Sequence, residues 1–493
     1  MIEMPHYRLF IAGEWRAGAD GQVMQSVNPA TGQPWATFDC AATRDVSDAV
    51  AAAKAALDLP AWRDMTQTAR GKLLYRLADL IAENAETLGA IETTDSGKLA
   101  AETKAQTGYV ADYYRYYAGL ADKIEGAVLP IDKPDMHVYT QRLPIGVVAA
   151  VVPWNAQMFL AATKVAPALA AGCSVIIKAS EIAPAPMLEF AKLIEAVGFP
   201  KGVVSVITGD AENCAIPLTR HPDVDRIAFT GGPEAARHVV RNSAENFAVT
   251  TLELGGKSPI LVFDDADVDS AANGLIAGNF GASGQSCVAG TRGFVHRAIF
   301  DQVVEAVTET SRDLVVGDPH DVDTHLGPLC TTAQVDRIES TLATAQAQGA
   351  EIVFGGARPA DLSPHYFQPT LVRATDAATE TMKVEMFGPV MTLLPFDTED
   401  EAIALANDSD FGLGSGIFTR DVGRAHRVSQ RIRSGITWVN TYRAISPIAP
   451  FGGFNQSGYG REAGREAILD FTRVKTTWIN TSDVPMGNPF VMR

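Results

Sequence analysis

Cys287 lies in the run Gly284-Gln285-Ser286-Cys287-Val288-Ala289-Gly290, and Glu253 stands thirty-four residues upstream in Leu252-Glu253-Leu254-Gly255-Gly256-Lys257. A thiol among small residues and a carboxylate beside two glycines are the types needed for a nucleophile and a general base. Small neighbours let a substrate carbon reach the sulfur, and a thiolate attacks carbonyl carbons readily. A carboxylate one water away from that carbon could then hydrolyse the resulting thioester. Each half alone says little, because a lone cysteine in such a stretch is most often a buried packing residue. The pair gains meaning only from the elements that hold it.

From Ile145 onward, short apolar runs alternate with helical stretches. Strands are expected over 145–152, 173–178, 203–207 and 226–230, with helices over 159–171 and 186–197 between them. Continuous β-branched runs alternating with helices indicate βαβ units and a parallel sheet covered on both faces. A second α/β series follows Glu253, opening with a strand at 260–263 and continuing with helices near 301–314 and 332–348. The region 45–118 reads as mostly helical. Its tyrosines Tyr109, Tyr113, Tyr114, Tyr116 and Tyr117 recur at the spacing of a packed helix face. Segments 138–142 and 476–479 read as strands, and an unpaired strand edge invites pairing with another chain.

A chain of 493 residues has room for two or three domains, and 46% apolar with 20% charged residues is ordinary for a globular enzyme. A net charge of −17 disfavours nucleic acid and anionic membranes, which need clustered Lys and Arg. The five cysteines (Cys40, Cys173, Cys214, Cys287, Cys330) are scattered, odd in number and without metal-ligand spacing. That points to reduced thiols in a cytoplasm, with neither a disulfide framework nor a metal site. Glu3 and Glu14 exclude a signal peptide over 1–15, and Lys164, Pro167 and Gly172 interrupt the most apolar stretch. A soluble, cytoplasmic protein is expected.

Four further runs supply the context: Val151-Val152-Pro153-Trp154-Asn155, Phe229-Thr230-Gly231-Gly232, Glu385-Met386-Phe387-Gly388-Pro389 and Pro450-Phe451-Gly452-Gly453-Phe454. In this order and at these separations, with the Cys287 and Glu253 runs, they resemble the aldehyde dehydrogenase superfamily, in its hydrolytic, non-acylating branch. The resemblance extends from Asn28-Pro29-Ala30-Thr31-Gly32 to Lys475-Thr476. It implies an α/β fold with a Rossmann-like NAD-binding domain over 1–121 and 145–253. A second α/β catalytic domain would cover 254–450, and a small β oligomerisation extension would come from 122–144 and 471–493. A homodimer or homotetramer is implied with it.

The resemblance also assigns roles. Cys287 would attack the aldehyde carbon, Asn155 and the Cys287 N–H would hold the oxyanion, and Glu253 would activate water against the thioester left by hydride transfer to NAD. Lys178 and Glu181 would meet the adenosine ribose, where a carboxylate accepts from a free 2′-hydroxyl and repels a 2′-phosphate, favouring NAD over NADP. Val152, Pro153, Trp154, Gly231, Gly232 and Leu254 would line the cofactor, and Glu385 and Phe387 its nicotinamide half. This is not a GxGxxG match. Many members have a hydroxyl residue where this chain has Gly232 and a glycine where it has Ala236. Glu462, in Gly460-Arg461-Glu462, reads as a structural ion pair or as support for a proton path.

The resemblance implies a small-molecule aldehyde as substrate. Ala156 and Thr163 stand where the family often has aromatics, so a wider, more polar tunnel is expected, with ring walls from Tyr109 and Phe451. Arg443 could bind a substrate carboxylate bidentately or be a solvated loop arginine. A polar or carboxylate-bearing semialdehyde is expected; a bulky aromatic or amide-bearing aldehyde is the rival. A coenzyme A-acylating enzyme and a catalytically silent relative are the further alternatives. Glu253 argues against the former, and the intact set of Cys287, Glu253 and Asn155 against the latter.

Overall fold

The computed structural model describes residues 4–491. Glu3, one of the two charges cited against a signal peptide, lies outside the described residues, as do the outermost positions of 1–121 and 471–493. Val147–Val151, with the sequence Val-Val-Ala-Ala-Val, is buried at every position. A strand covered on both faces tolerates no alternation with polar residues, which is why its sequence is unbroken apolar. Ser174–Ala179, Val204–Thr208, Arg226–Gly231 and Val249–Leu254 run parallel in the same sheet.

Along that eight-stranded sheet the order is Gly458–Tyr459, Val249–Leu254, Arg226–Gly231, Val147–Val151, Ser174–Ala179, Val204–Thr208, Leu9–Ile11, Glu14–Arg16. The chain builds to one side of Val147–Val151 and then returns to build on the other. Strand order therefore reverses between Val147–Val151 and Arg226–Gly231, leaving a crevice beyond their carboxyl ends. The runs ending in Asn155, Gly232 and Leu254 all emerge there. Helices Gln157–Ala171 and Ala185–Val197 cover one face, the first of them buried along its whole length.

A second sheet of seven strands has the order Glu351–Phe354, Thr370–Arg373, Val390–Phe396, Arg292–His296, Pro259–Val262, Gly414–Phe418, Ile436–Val439. Only its first pair is antiparallel. The segments expected as strands at 138–142 and 476–479 are parts of one ribbon. Met136–Pro144 and Thr472–Asn480 pair antiparallel through nine residue pairs. The tyrosine group packs as a helix face on Ala100–Leu120, with Tyr113, Tyr114 and Tyr117 buried. Its hydroxyls also tie that helix to the distal chain: Tyr109 donates to the Ile445 carbonyl and Tyr117 to that of Gly464, each at 3.1 Å. Among the described residues, no helix is long and apolar enough to cross a membrane.

Candidate active site

Cys287 follows a backbone that few sequences would adopt unaided. Helix Val268–Asn279 ends, and Ala282 and Ser283 then take left-handed φ values of 54° and 52°. Such conformations persist only where neighbours over-determine them. Here Glu102 accepts from the Ala282 N–H at 3.0 Å, and the Ser283 hydroxyl donates to the Gly327 carbonyl at 2.9 Å. Gly284 has no room for a side chain, since a Cβ would stand 2.1 Å from the Gly388 oxygen. Thus pinned, the loop presents a partly exposed Cys287 to a cavity of about 190 Å³.

Glu253 reaches the same cavity from the end of Val249–Leu254, paired in register with Thr230 on the adjacent strand. It is 3% exposed, and neither carboxylate oxygen has a hydrogen-bond partner. Burial first, then the charge of Glu462, raise its proton affinity well above the usual carboxylate range, against the opposing pull of Lys164 and Arg461. Cys287 feels burial and the carboxylates of Glu253 and Glu385, which push its thiol up to about 12. Asn155 donates one amide hydrogen to the Gln285 carbonyl at 3.1 Å, two residues before the thiol, leaving the other for the cavity.

The cofactor residues named from sequence divide by position. Pro153, Trp154, Gly231, Gly232, Leu254, Glu385 and Phe387 line the cavity with Asn155, Glu253 and Cys287. Val152 lies buried behind it, its N–H bonded to the Lys178 carbonyl at 3.0 Å. Lys178 and Glu181 sit at the end of the neighbouring strand, ion-paired at 2.6 Å. Trp154 and Phe387 meet edge to face, centroids 5.5 Å apart. A Cβ on Gly231 would press against the Phe229 ring at 2.6 Å, whereas one on Gly232 would meet nothing within 4 Å. The departure from a hydroxyl residue at Gly232 is therefore not forced by space.

Glu385 accepts from the Gly256 N–H at 2.9 Å, and burial raises its proton affinity. Five lining residues were not picked out from the sequence: Leu160, Thr230, Gly255, Gln334 and Arg337. The last two lie in the first turns of helix Thr332–Ala347, which reads in sequence as an ordinary amphipathic helix. Gln334 donates to the Phe387 carbonyl at 3.2 Å, so it also braces that wall.

The five residues expected around the substrate do not line this cavity. Ala156 is buried at the start of helix Gln157–Ala171, and Tyr109 and Phe451 are half-buried. Thr163 is buried, its hydroxyl 2.6 Å from Glu462 Oε2. Arg443, at φ 63°, lays its guanidinium over Gly281 and donates to the Ala277 carbonyl at 3.4 Å, near the end of helix Val268–Asn279. No three His, Cys, Asp or Glu side chains gather as a metal site among the described residues.

The profile of the aldehyde dehydrogenase family matches residues 15–477. The chain belongs to that family. It is 51% identical, over 99% of its length and 100% of the relative's, to (Z)-2-((N-methylformamido)methylene)-5-hydroxybutyrolactone dehydrogenase of Acinetobacter baylyi. Betaine aldehyde dehydrogenase of Staphylococcus aureus, solved in complex with NAD+, is 37% identical with a TM-score of 0.96, covering 99% of this chain and 97% of that one. An aldehyde dehydrogenase from Bacillus cereus superposes with a TM-score of 0.95 at 36% identity, over 97% of each chain. Family membership gives the chain a chemistry, the oxidation of an aldehyde.

Proposed function

We propose that this enzyme oxidises an aldehyde carrying a carboxylate and an amide-like arm to the corresponding acid, with NAD as hydride acceptor. The observation that carries the chemistry is Glu253, a buried carboxylate with both oxygens open, on the cavity that Cys287 enters. A base with no protein partner is available to a water, which favours hydrolysis of the thioester over transfer to coenzyme A. NAD supplies the hydride acceptor when bound, and the crevice at the strand-order reversal, the Lys178–Glu181 pair and the Glu385 carboxylate suit it.

In this reading Cys287 attacks the aldehyde carbon, and Asn155 with the Cys287 N–H stabilises the oxyanion. Glu253 takes a proton from the water that attacks the thioester. Glu181 disfavours a 2′-phosphate, so NAD is preferred to NADP. Residues 1–121 and 145–253 form the cofactor unit and 254–450 the catalytic unit. The ribbon from 122–144 and 471–493 joins subunits into a dimer or tetramer. In support, Leu143, Val474, Trp478 and Ile479 are exposed on that ribbon.

The substrate class follows from chemistry that the Acinetobacter relative's name contains. A hydroxyl on the carbon beside a lactone's ring oxygen makes that carbon a masked aldehyde. Opening the ring gives a free aldehyde and a carboxylate, and an N-methylformamido group adds an amide. One such compound meets both the semialdehyde expectation and its amide-bearing rival. Arg443 lies outside the Cys287 cavity and uses one donor on Ala277, so the carboxylate arm has to extend beyond that cavity to reach the rest of its guanidinium.

NADH formation across aliphatic, aromatic, amide-bearing and carboxylate-bearing aldehydes tests this, with Arg443→Ala in parallel. The carboxylate-bearing members should lead and lose about ten- to a hundred-fold in kcat/KM in the variant, the range for one charge-assisted contact. A lead by neutral bulky aldehydes, unchanged in the variant, would reject the substrate class.

A further inference from the structure

Beside Glu253, four polar side chains from three parts of the chain meet in a buried cluster, of which only Thr230 also lines the cavity. Lys164 is fully buried and Glu462 is 4% exposed, and their ion pair is 2.6 Å long. Lys164 Nζ spends its three hydrogens on Glu462 Oε1 at 2.6 Å, Thr230 Oγ1 at 2.6 Å and the Leu160 carbonyl at 3.3 Å. The other oxygen of Glu462 meets the Thr163 hydroxyl at 2.6 Å. That hydroxyl also lies 3.0 Å from the Leu160 carbonyl but has only one hydrogen to give. The carboxylate is the stronger acceptor and the closer one, so it takes the bond.

The two carboxylates of this region are thus treated oppositely. Glu462 receives a donor on each oxygen, whereas Glu253 receives none. Two like charges in one low-dielectric region cannot both be ionised cheaply, so a single proton settles on the less well solvated partner. Facing Glu462 are Lys164 and Thr163 from helix Gln157–Ala171, Tyr113 and Tyr117 from helix Ala100–Leu120, Arg226 from its strand, and Glu253. Facing Glu253 are Lys164, Glu462, Arg461 and Cys287.

We propose that Thr163 is a positioning residue that selects which of the two buried carboxylates holds the proton: by donating to Glu462 while Lys164 holds its other oxygen, it keeps Glu462 ionised and places the proton on Glu253. This rests on the reading of Glu253 as the water-activating base. The consequence is a resting site in which the base is neutral beside the thiol and must lose a proton before hydrolysis. Valine at 163 has the shape of threonine without the donor. It would let the proton move to Glu462 and leave Glu253 ionised at lower pH.

The test uses p-nitrophenyl acetate, which acylates Cys287 directly, so that decay of the acyl-enzyme reports hydrolysis alone. Thr163→Val should move the acid midpoint of that decay down by about one pH unit, the size expected for one bond to a buried charge, while Thr163→Ser leaves it in place. A midpoint unmoved in Thr163→Val, or moved equally in Thr163→Ser, overturns the proposal. A merely structural role would lower the rate at every pH without displacing the midpoint. Infrared spectroscopy gives a second readout that does not need the valine variant. The carbonyl band of a protonated buried carboxyl should vanish in Glu253→Gln and persist in Glu462→Gln; the reverse pattern overturns the proposal. Acyl-enzyme decay that survives Glu253→Gln would sink the base assignment alone, and the infrared band would still locate the proton.

Discussion

A side chain on Gly256 would place its Cβ 2.6 Å from the backbone oxygen of Cys287. The strand end that carries Glu253 and the loop that carries Cys287 are therefore in backbone contact, and the glycine is what permits it. Gly256 also donates its N–H to Glu385, so one residue touches three parts of the site. Gly256→Ala should lower kcat at least ten-fold and cost about 1–3 kcal/mol of stability, the usual range for overpacking. Steady-state kinetics with thermal unfolding would check this, and a fully active variant would show that the contact is not needed.

The thiol should be slow to ionise in the free enzyme. Burial and the charges of Glu253 and Glu385 hold Cys287 near 12, so its alkylation by iodoacetamide should climb with pH up to the highest value the fold tolerates. Removing one of those charges in Glu253→Gln should shift the whole curve to lower pH. Curves that coincide would mean that Glu253 is not charged, or not near, when the thiol ionises.

Lys257 is 1% exposed, and its ammonium has no protein partner. Burial and the nearby Arg292 bring it down to about 7, against the pull of Glu385. A lysine whose folded value is depressed weakens the fold wherever the unfolded chain is protonated and the folded one is not. The penalty is absent above the ordinary lysine value near 10.5, grows as pH falls toward 7, and is constant below. Across that window each pH unit costs about 1.4 kcal/mol. Lys257→Met should therefore gain stability over the parent as pH drops from 10 to 7, a difference readable by urea unfolding at a series of pH values. A constant difference would place the ammonium in contact with water.

Cofactor choice should respond to Glu181. Its carboxylate is held by Lys178 at 2.6 Å, where a 2′-phosphate would meet a fixed negative charge. Glu181→Ser should raise kcat/KM with NADP relative to NAD by about ten-fold or more, since Lys178 would then face the phosphate unopposed. An unchanged ratio would remove Glu181 from the ribose subsite.

The parts of the fold that sequence reveals are those where one physical demand dominates. Val147–Val151 is apolar at every position because both faces are covered, so it stands out at once. The later strands Thr370–Arg373 and Ile436–Val439 are four residues long, too short for periodicity to separate from a loop. That Cys287, Glu253 and Asn155 would share one cavity was legible through their flanking runs. Gln334 and Arg337 were not, because the face of a helix that meets a cofactor cleft carries polar residues just as a solvated face does. The bond that Thr163 makes was hidden for a different reason. Its neighbour in sequence, Lys164, points to Glu462, and only the pairing of residues almost three hundred positions apart shows that Thr163 does too.

Gly458–Tyr459 lies against Leu252 and Glu253 at the edge of the first sheet, and Glu462 follows a few residues later. On the ribosome, the strand bearing Glu253 is made long before the segment that covers it. About 200 residues separate them, on the order of ten to forty seconds of synthesis at ordinary rates. For that interval an apolar edge and a buried-to-be carboxylate stand open on a growing chain. The last tenth of the polypeptide thus acts as a closing step for the whole enzyme, and a chain stalled before it would be a substrate for chaperones and proteases with Cys287 already made.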